Sequence, residues 1–129
     1  MQESFAQICR SVCDAQGWEL LPTGIVVRWG DGRHQVVSLE FFEAEDQELV
    51  RLFTTIGGIG DLSKERLSMA LRVNAGLAHG AIAIKYDELC MTATLVLADA
   101  DPGEVEAVVG YLSRTADYYE RAFFGTDEN

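Results

Sequence analysis

Apolar and polar positions follow two periods along this chain, and their alternation divides it into elements. In residues 2 to 16, Phe5, Ile8, Cys9 and Val12 recur at helical spacing, while Gln2, Gln7, Arg10 and Asp14 fall on the other side. That is an amphipathic helix, and Gly17 stands where a left-handed residue ends one. Trp18 is expected to anchor this helix to a sheet, with Leu20, Leu21 and Pro22 as an extended lead-in. The period then changes to two. Ile25, Val27 and Trp29 alternate in one arm and Val37, Leu39 and Phe41 in the next, around Gly30, Asp31 and Gly32. A three-residue loop with Gly32 left-handed puts both sets on one face, whereas a two-residue turn would oppose them. The second face of this hairpin keeps Val26, Val36 and Phe42 among Arg28, Ser38 and Glu40. Such a face is covered by the rest of the chain or offered to a partner.

Residues 43 to 48 read as an acidic loop and residues 49 to 56 as a third strand. Gly57, Gly58, Ile59 and Gly60 read as a flexible link to a helix over about 62 to 75, with Asp61 or Ser63 as its N-cap. Leu67, Ala70, Leu71 and Asn74 form one stripe of that helix, and Met69 and Val73 lie on another beside Leu62. Two stripes imply a core face and a subunit interface, so dimerisation through Met69 and Val73 is expected. His79 opens a strand carrying Ile82, Ile84 and Tyr86, and Leu89, Met91, Ala93, Leu95 and Leu97 alternate in the strand after it. No crossover fits between the two, so they form a hairpin, with an even-length turn centred on Asp87 and Glu88. In the final helix Asp101 is the cap, Pro102 the first helical residue and Glu104 the partner of a capping box. Its stripe runs through Val105, Val108, Val109, Leu112, Ala116, Tyr119 and Phe123. The order predicts an α+β fold, helix, three strands, helix, two strands, helix, with a largely antiparallel five-stranded sheet.

Size and charge narrow the function classes. A chain of 129 residues with 48% apolar residues can bury a core as one domain, here residues 1 to 125, with 126 to 129 as a frayed polar tail. A formal charge of -11 opposes binding to nucleic acid or an anionic membrane and favours a basic or polypeptide partner. The N-terminal residues have no charged n-region or apolar h-region, and no apolar run approaches a membrane span, so a cytoplasmic location is expected.

No complete catalytic or metal-binding constellation is visible. Three cysteines make an odd number, and Cys9 and Cys13 lie on consecutive turns of one helix, so buried free thiols are expected rather than disulfides. The acidic segment lacks the order of an EF-hand loop, and the glycines at 57 to 60 match neither a Walker loop nor a dinucleotide fingerprint. No cofactor and no metal are therefore expected. Cys90, His34, His79 and the acids around Asp87 are the candidates for an enzyme or ligand-binding site, and they share no recognisable spacing.

The element order and acidic balance, with Leu71, Asn74, Ala75, Gly80, Ala81, Asp87, Glu88, Leu89 and Met91 and the helix carrying Ala116, Asp117, Tyr119, Glu120 and Phe123, resemble the Tir chaperone superfamily. Two branches fit, the class I type III secretion chaperones and the YbjN-like bacterial proteins. The first resemblance implies a non-enzymatic homodimer, with Met69 and Val73 facing the other subunit. It further implies a partly unfolded client segment held against Val26, Val36 and Phe42. The second implies a regulatory or stress-related binding module.

Overall fold

The computed structural model describes residues 1–125, so the tail expected to fray lies outside the described residues. Helix α1 spans Glu3–Gln16 and ends as expected, with Gly17 at φ 74° and the Trp18 amide donating to the Cys13 carbonyl at 2.9 Å. Strands β1 (Glu19–Leu21), β2 (Gly24–Arg28), β3 (His34–Ala44) and β4 (Gln47–Gly58) follow. Helix α2 (Lys64–Val73), strands β5 (Ala81–Lys85) and β6 (Glu88–Val96), and helix α3 (Pro102–Phe124) complete the order. The fold is α+β, with one antiparallel sheet ordered β1-β2-β3-β4-β6-β5.

The sheet has six strands rather than the expected five. The addition is β1, three residues paired with β2 through Leu21↔Gly24, where a plain lead-in was expected. Three residues are too few to display a period, and a short strand is a usual way to finish a sheet edge.

The first hairpin has the predicted loop. The Trp29 amide donates to the Arg33 carbonyl, leaving Gly30, Asp31 and Gly32 at the tip, and Gly32 has φ 90°. The acidic stretch, by contrast, is not a loop. Ala44 pairs with Gln47 across a two-residue turn, with Glu45 at φ 52° and Asp46 at φ 64°, the backbone that matches strand twist in the tightest hairpins. The second hairpin turns at Tyr86 and Asp87, one residue earlier than expected, and sets Ile82 opposite Met91 and Ile84 opposite Leu89. Because the turn still has two residues, the apolar rows stay on one face.

The glycine link is also partly strand. Gly57 and Gly58 belong to β4, beyond a register shift after Thr55. A Cβ at Gly57 would come within 2.6 Å of the Phe124 ring, so the glycine admits the end of α3 against β4. Of the two cap candidates, Ser63 accepts from the Arg66 amide and starts α2. At the start of α3, Asp101 accepts from the Glu104 amide at 2.8 Å. The strand after α2 begins at Ala81, so His79 precedes it.

The core lies between the helices and one face of the sheet. Phe5, Cys9 and Val12 of α1 join Val105, Val109, Leu112 and Ala116 of α3 over Ile25, Leu52, Val50 and Met91. A polar seam crosses it, where the Thr54 hydroxyl donates to Gln35 at 2.7 Å and the Gln35 amide donates to Glu120 at 3.2 Å. Gln35 and Thr54 are both buried, and each is satisfied, as burial demands.

All three cysteines are buried and free. Burial pushes the Cys9 thiol up to about 12 and that of Cys13 up to about 11, and raises Cys90 for the same leading reason. At pH 8 the native protein is therefore expected to resist iodoacetamide at all three positions and to react fully only in denaturant. Rapid native labelling of Cys9, read by mass spectrometry, would contradict this packing.

Candidate functional site

The second face of the sheet is distinct from the core. Val26 and Cys90 are buried on it, yet neither belongs to the cluster that joins helices to sheet. Val26 is shielded by its neighbours: it pairs with Glu19 and Val36, and Glu19 is bridged by Arg28 at 2.7 Å. Val36 stays 39% exposed. The structure thus brings Val26 and Val36 side by side. Phe42 is half-buried further along β3, roughly 20 Å from Val36 at a strand's rise per residue, so it does not join them.

Between the two ends runs a charged bridge that the strand pattern does not reveal. Arg51 donates to Glu40 at 3.0 Å, and Lys85 reaches the same carboxylate at 3.4 Å from the far edge strand. The Arg51 guanidinium lies 4.2 Å from the Phe42 ring centroid, and the Lys85 ammonium lies 5.0 Å from that of Phe53. The hydrogen bond from Arg51, then that from Lys85, holds the Glu40 carboxyl below its usual range. Glu40 and Arg51 face each other across β3 and β4, a pairing that a register could have suggested; Lys85 is 45 positions away from Glu40.

A second surface lies along α2. Ala70 is its one buried residue, while Met69 is 54% and Leu71 66% exposed. Leu71 was expected on the core stripe with Leu67 and Ala70. The helix is short and touches the sheet mainly at β5, so the core side is narrower than the stripe and Leu71 falls outside it. An apolar cavity of about 250 Å³ remains between α2 and the sheet, lined by Leu67, Ala70, Leu71, Ile82, Ile84 and Leu89 among others. Ile84 is 56% exposed at its mouth. Val73 lies apart from this, half-buried in a hollow beside Leu77, Tyr111 and Tyr118. Met69 and Val73 lie one turn apart on one flank of α2, Met69 exposed and Val73 half-buried toward α3, while Leu71, two residues from Met69, stands on the other flank at the cavity.

Asn74, just after α2, closes part of the β5 edge. The Ile82 amide donates to its Oδ1 at 2.6 Å, and its Nδ2 donates to the Ile82 carbonyl at 3.1 Å. The side chain occupies the place of a neighbouring strand. Outward-pointing groups of an edge strand fall on alternate residues, so the next ones are those of Ile84.

The catalytic candidates are not gathered. His34 opens β3 opposite Arg28, His79 stands edge-on to Tyr111 with centroids 5.1 Å apart, and Cys90 lies between Thr55 and Ala83 on β6. Among the described residues no group of three or more His, Cys, Asp or Glu side chains could hold a metal ion. No helix among them is long and apolar enough to cross a membrane.

No family model matches the sequence, and no curated protein matches it. Solved structures do match in fold. A chain of the ExsC–ExsE complex superposes with a TM-score of 0.67 at 12% identity, over 95% of this chain and 96% of that one. A chain of the heterodimeric ExoU–SpcU complex, from the type III secretion system of Pseudomonas aeruginosa, superposes with a TM-score of 0.59 at 15% identity, over 88% and 95%. What the sequence shares with these chains, along nearly its whole length, is architecture: the fold is type III secretion chaperone-like.

Proposed function

We propose that this chain is a non-enzymatic polypeptide-binding module of the type III secretion chaperone kind, which acts as a homodimer and holds a partly unfolded client segment. The observation that carries the reading is the second sheet face, outside the helix-covered core, with Val36 exposed at one end and Phe42 half-buried at the other. An extended segment laid along such a face buries its own apolar side chains on the valine and phenylalanine ends and can pair its backbone with an open strand edge. The fold likeness adds support, since both neighbours are complexes of one protein with another.

The homodimer reading rests on α2. Met69 is exposed on one flank of α2, with Val73 half-buried a turn away, and Leu71 is exposed on the other flank at the mouth of an apolar cavity, so each flank offers apolar surface that a second copy can cover. Light scattering is expected to give twice the 14.2 kDa chain mass. The double variant Met69→Asp/Leu71→Asp is expected to give the single mass with an unchanged circular dichroism spectrum, because both side chains are exposed. A wild-type monomer would refute the homodimer. Client binding is tested with a reduced and alkylated, permanently unfolded protein. Val36→Asp is expected to weaken its capture about tenfold, as a charge on an apolar contact surface does; capture unaffected by Val36→Asp would remove this face from the reading.

A further inference from the structure

Around the tip of the β3–β4 hairpin the chain forms a hollow of about 450 Å³, with Phe41 and Leu97 as its apolar lining on the helix-bearing face, Glu43 and Glu48 at its rim, and Phe42 and Leu49, which project from the opposite face of the strands, at its margin. A second hollow of about 250 Å³ adjoins it, sharing Gln2, Glu48 and Leu97 and extending to Asp46. Together they run around the hairpin tip and give an elongated apolar floor under an acidic rim.

The rim is electrostatically uncompensated. Glu43 and Glu48 are directly opposite in the β3–β4 ladder, where like charges repel. Among the described residues Glu43, Glu45, Asp46 and Glu48, like several other acids of the chain, have no basic side chain within 4 Å; what sets these four apart is that one hairpin end gathers them. The polar contact made by Glu48 is with the Gln2 amide at 3.4 Å. The repulsion is built into a tight turn and relieved by nothing in this part of the chain.

We propose that this groove docks an extended segment of a partner protein in which basic and apolar side chains alternate. The inference rests on the polypeptide-binding reading and names the chemistry of the bound segment. Alternation at the strand period sends one set of side chains down to the phenylalanine and leucine floor and the other up to the carboxylates. A lysine or arginine between Glu43 and Glu48 converts their repulsion into two attractions, and the net charge of -11 draws such a segment in from a distance. Apolar contact supplies the affinity and the acidic rim selects the partner.

The test is fluorescence anisotropy with a fluorescein-labelled peptide of alternating lysine and leucine. Two control peptides separate the contributions, one alternating lysine with serine and one alternating glutamine with leucine. The lysine–leucine peptide is expected to bind, each control to bind about tenfold more weakly or worse, and Glu43→Lys/Glu48→Lys to lose about tenfold in affinity for the first peptide. Both glutamates are exposed, so the variant is expected to keep its fold, checked by its melting curve; the milder Glu48→Gln replaces it if it does not, with a smaller loss in the same direction. Equal binding of the lysine–serine peptide reduces the effect to bulk charge and overturns the proposal. Equal binding of the glutamine–leucine peptide also overturns it, while leaving the polypeptide-binding reading in place. If no peptide binds and the unfolded protein is not captured either, both fall.

Discussion

Leu112→Ala is expected to destabilise the protein by about 2–5 kcal/mol, the largest effect of any single side-chain truncation considered. Leu112 is fully buried in the middle of α3, in the cluster that joins that helix to α1 and to the sheet. Truncation empties a side-chain volume in the middle of that cluster. The space cannot close easily, because Ala116, one turn on, is already small and α3 is held at its far end. There Phe124 packs on Gly57, and Arg66 donates to the Phe123 carbonyl. Lost transfer energy and a residual cavity therefore add. For a domain of this size the thermal midpoint should fall by roughly 6–15 °C. A drop under a few degrees in calorimetry would mean that α3 is not the keystone of this core.

Asn74→Leu is expected to have the next largest effect on stability, about 1–3 kcal/mol for burying unpaired backbone groups. Its amide gives the Ile82 amide an acceptor and the Ile82 carbonyl a donor. Leucine keeps the approximate size and removes both. Asn74→Asp is the informative companion, since a carboxylate still accepts from the Ile82 amide but sets its second oxygen against the Ile82 carbonyl, so stability should fall while that amide keeps its partner. Hydrogen exchange reads the effect directly: the Ile82 amide should lose protection in the leucine variant and largely keep it in the aspartate variant. The leucine variant should also associate more strongly at high concentration, because the edge of β5 is then open from Ile82 through Ile84. Unchanged exchange at Ile82 would sink this account.

These two positions differ in how visible they are in sequence. Leu112 lies on a continuous helical stripe that is read without any knowledge of the fold. Asn74 is visible in sequence as one member of a helix stripe, and nothing in that stripe points to the strand backbone eight positions on that it bonds. Register by parity was also legible. The hairpin at Gly32 has its predicted loop, and in the β5–β6 hairpin the apolar rows share a face although the turn lies one residue earlier, because a two-residue period reports face and not absolute position. The candidate binding residues were legible as a pattern and not as a place. Val26, Val36 and Phe42 do lie on one face, but two of them adjoin and the third lies at the other end of the strand. The bridge from Lys85 to Glu40 and the exposure of Leu71 were not legible at all.

By itself the sequence determined the three helices, the Gly17 stop of the first and the Asp101 cap of the last, the strands with a full period, the side of the sheet each apolar row would take, and the buried state of the thiols. Each of these depends on residues within a few positions of one another, where side-chain spacing and backbone preference act directly. Tertiary structure alone decided that β1 joins as a sixth strand, that Leu71 stands outside the core while Val73 packs toward α3, that Lys85 crosses the sheet to Glu40, and that a hollow opens around the acidic hairpin tip. These depend on how far a helix overlaps the sheet and on which remote side chains arrive at the same point. A local pattern carries no measure of either, because the distances are set by packing all the elements together.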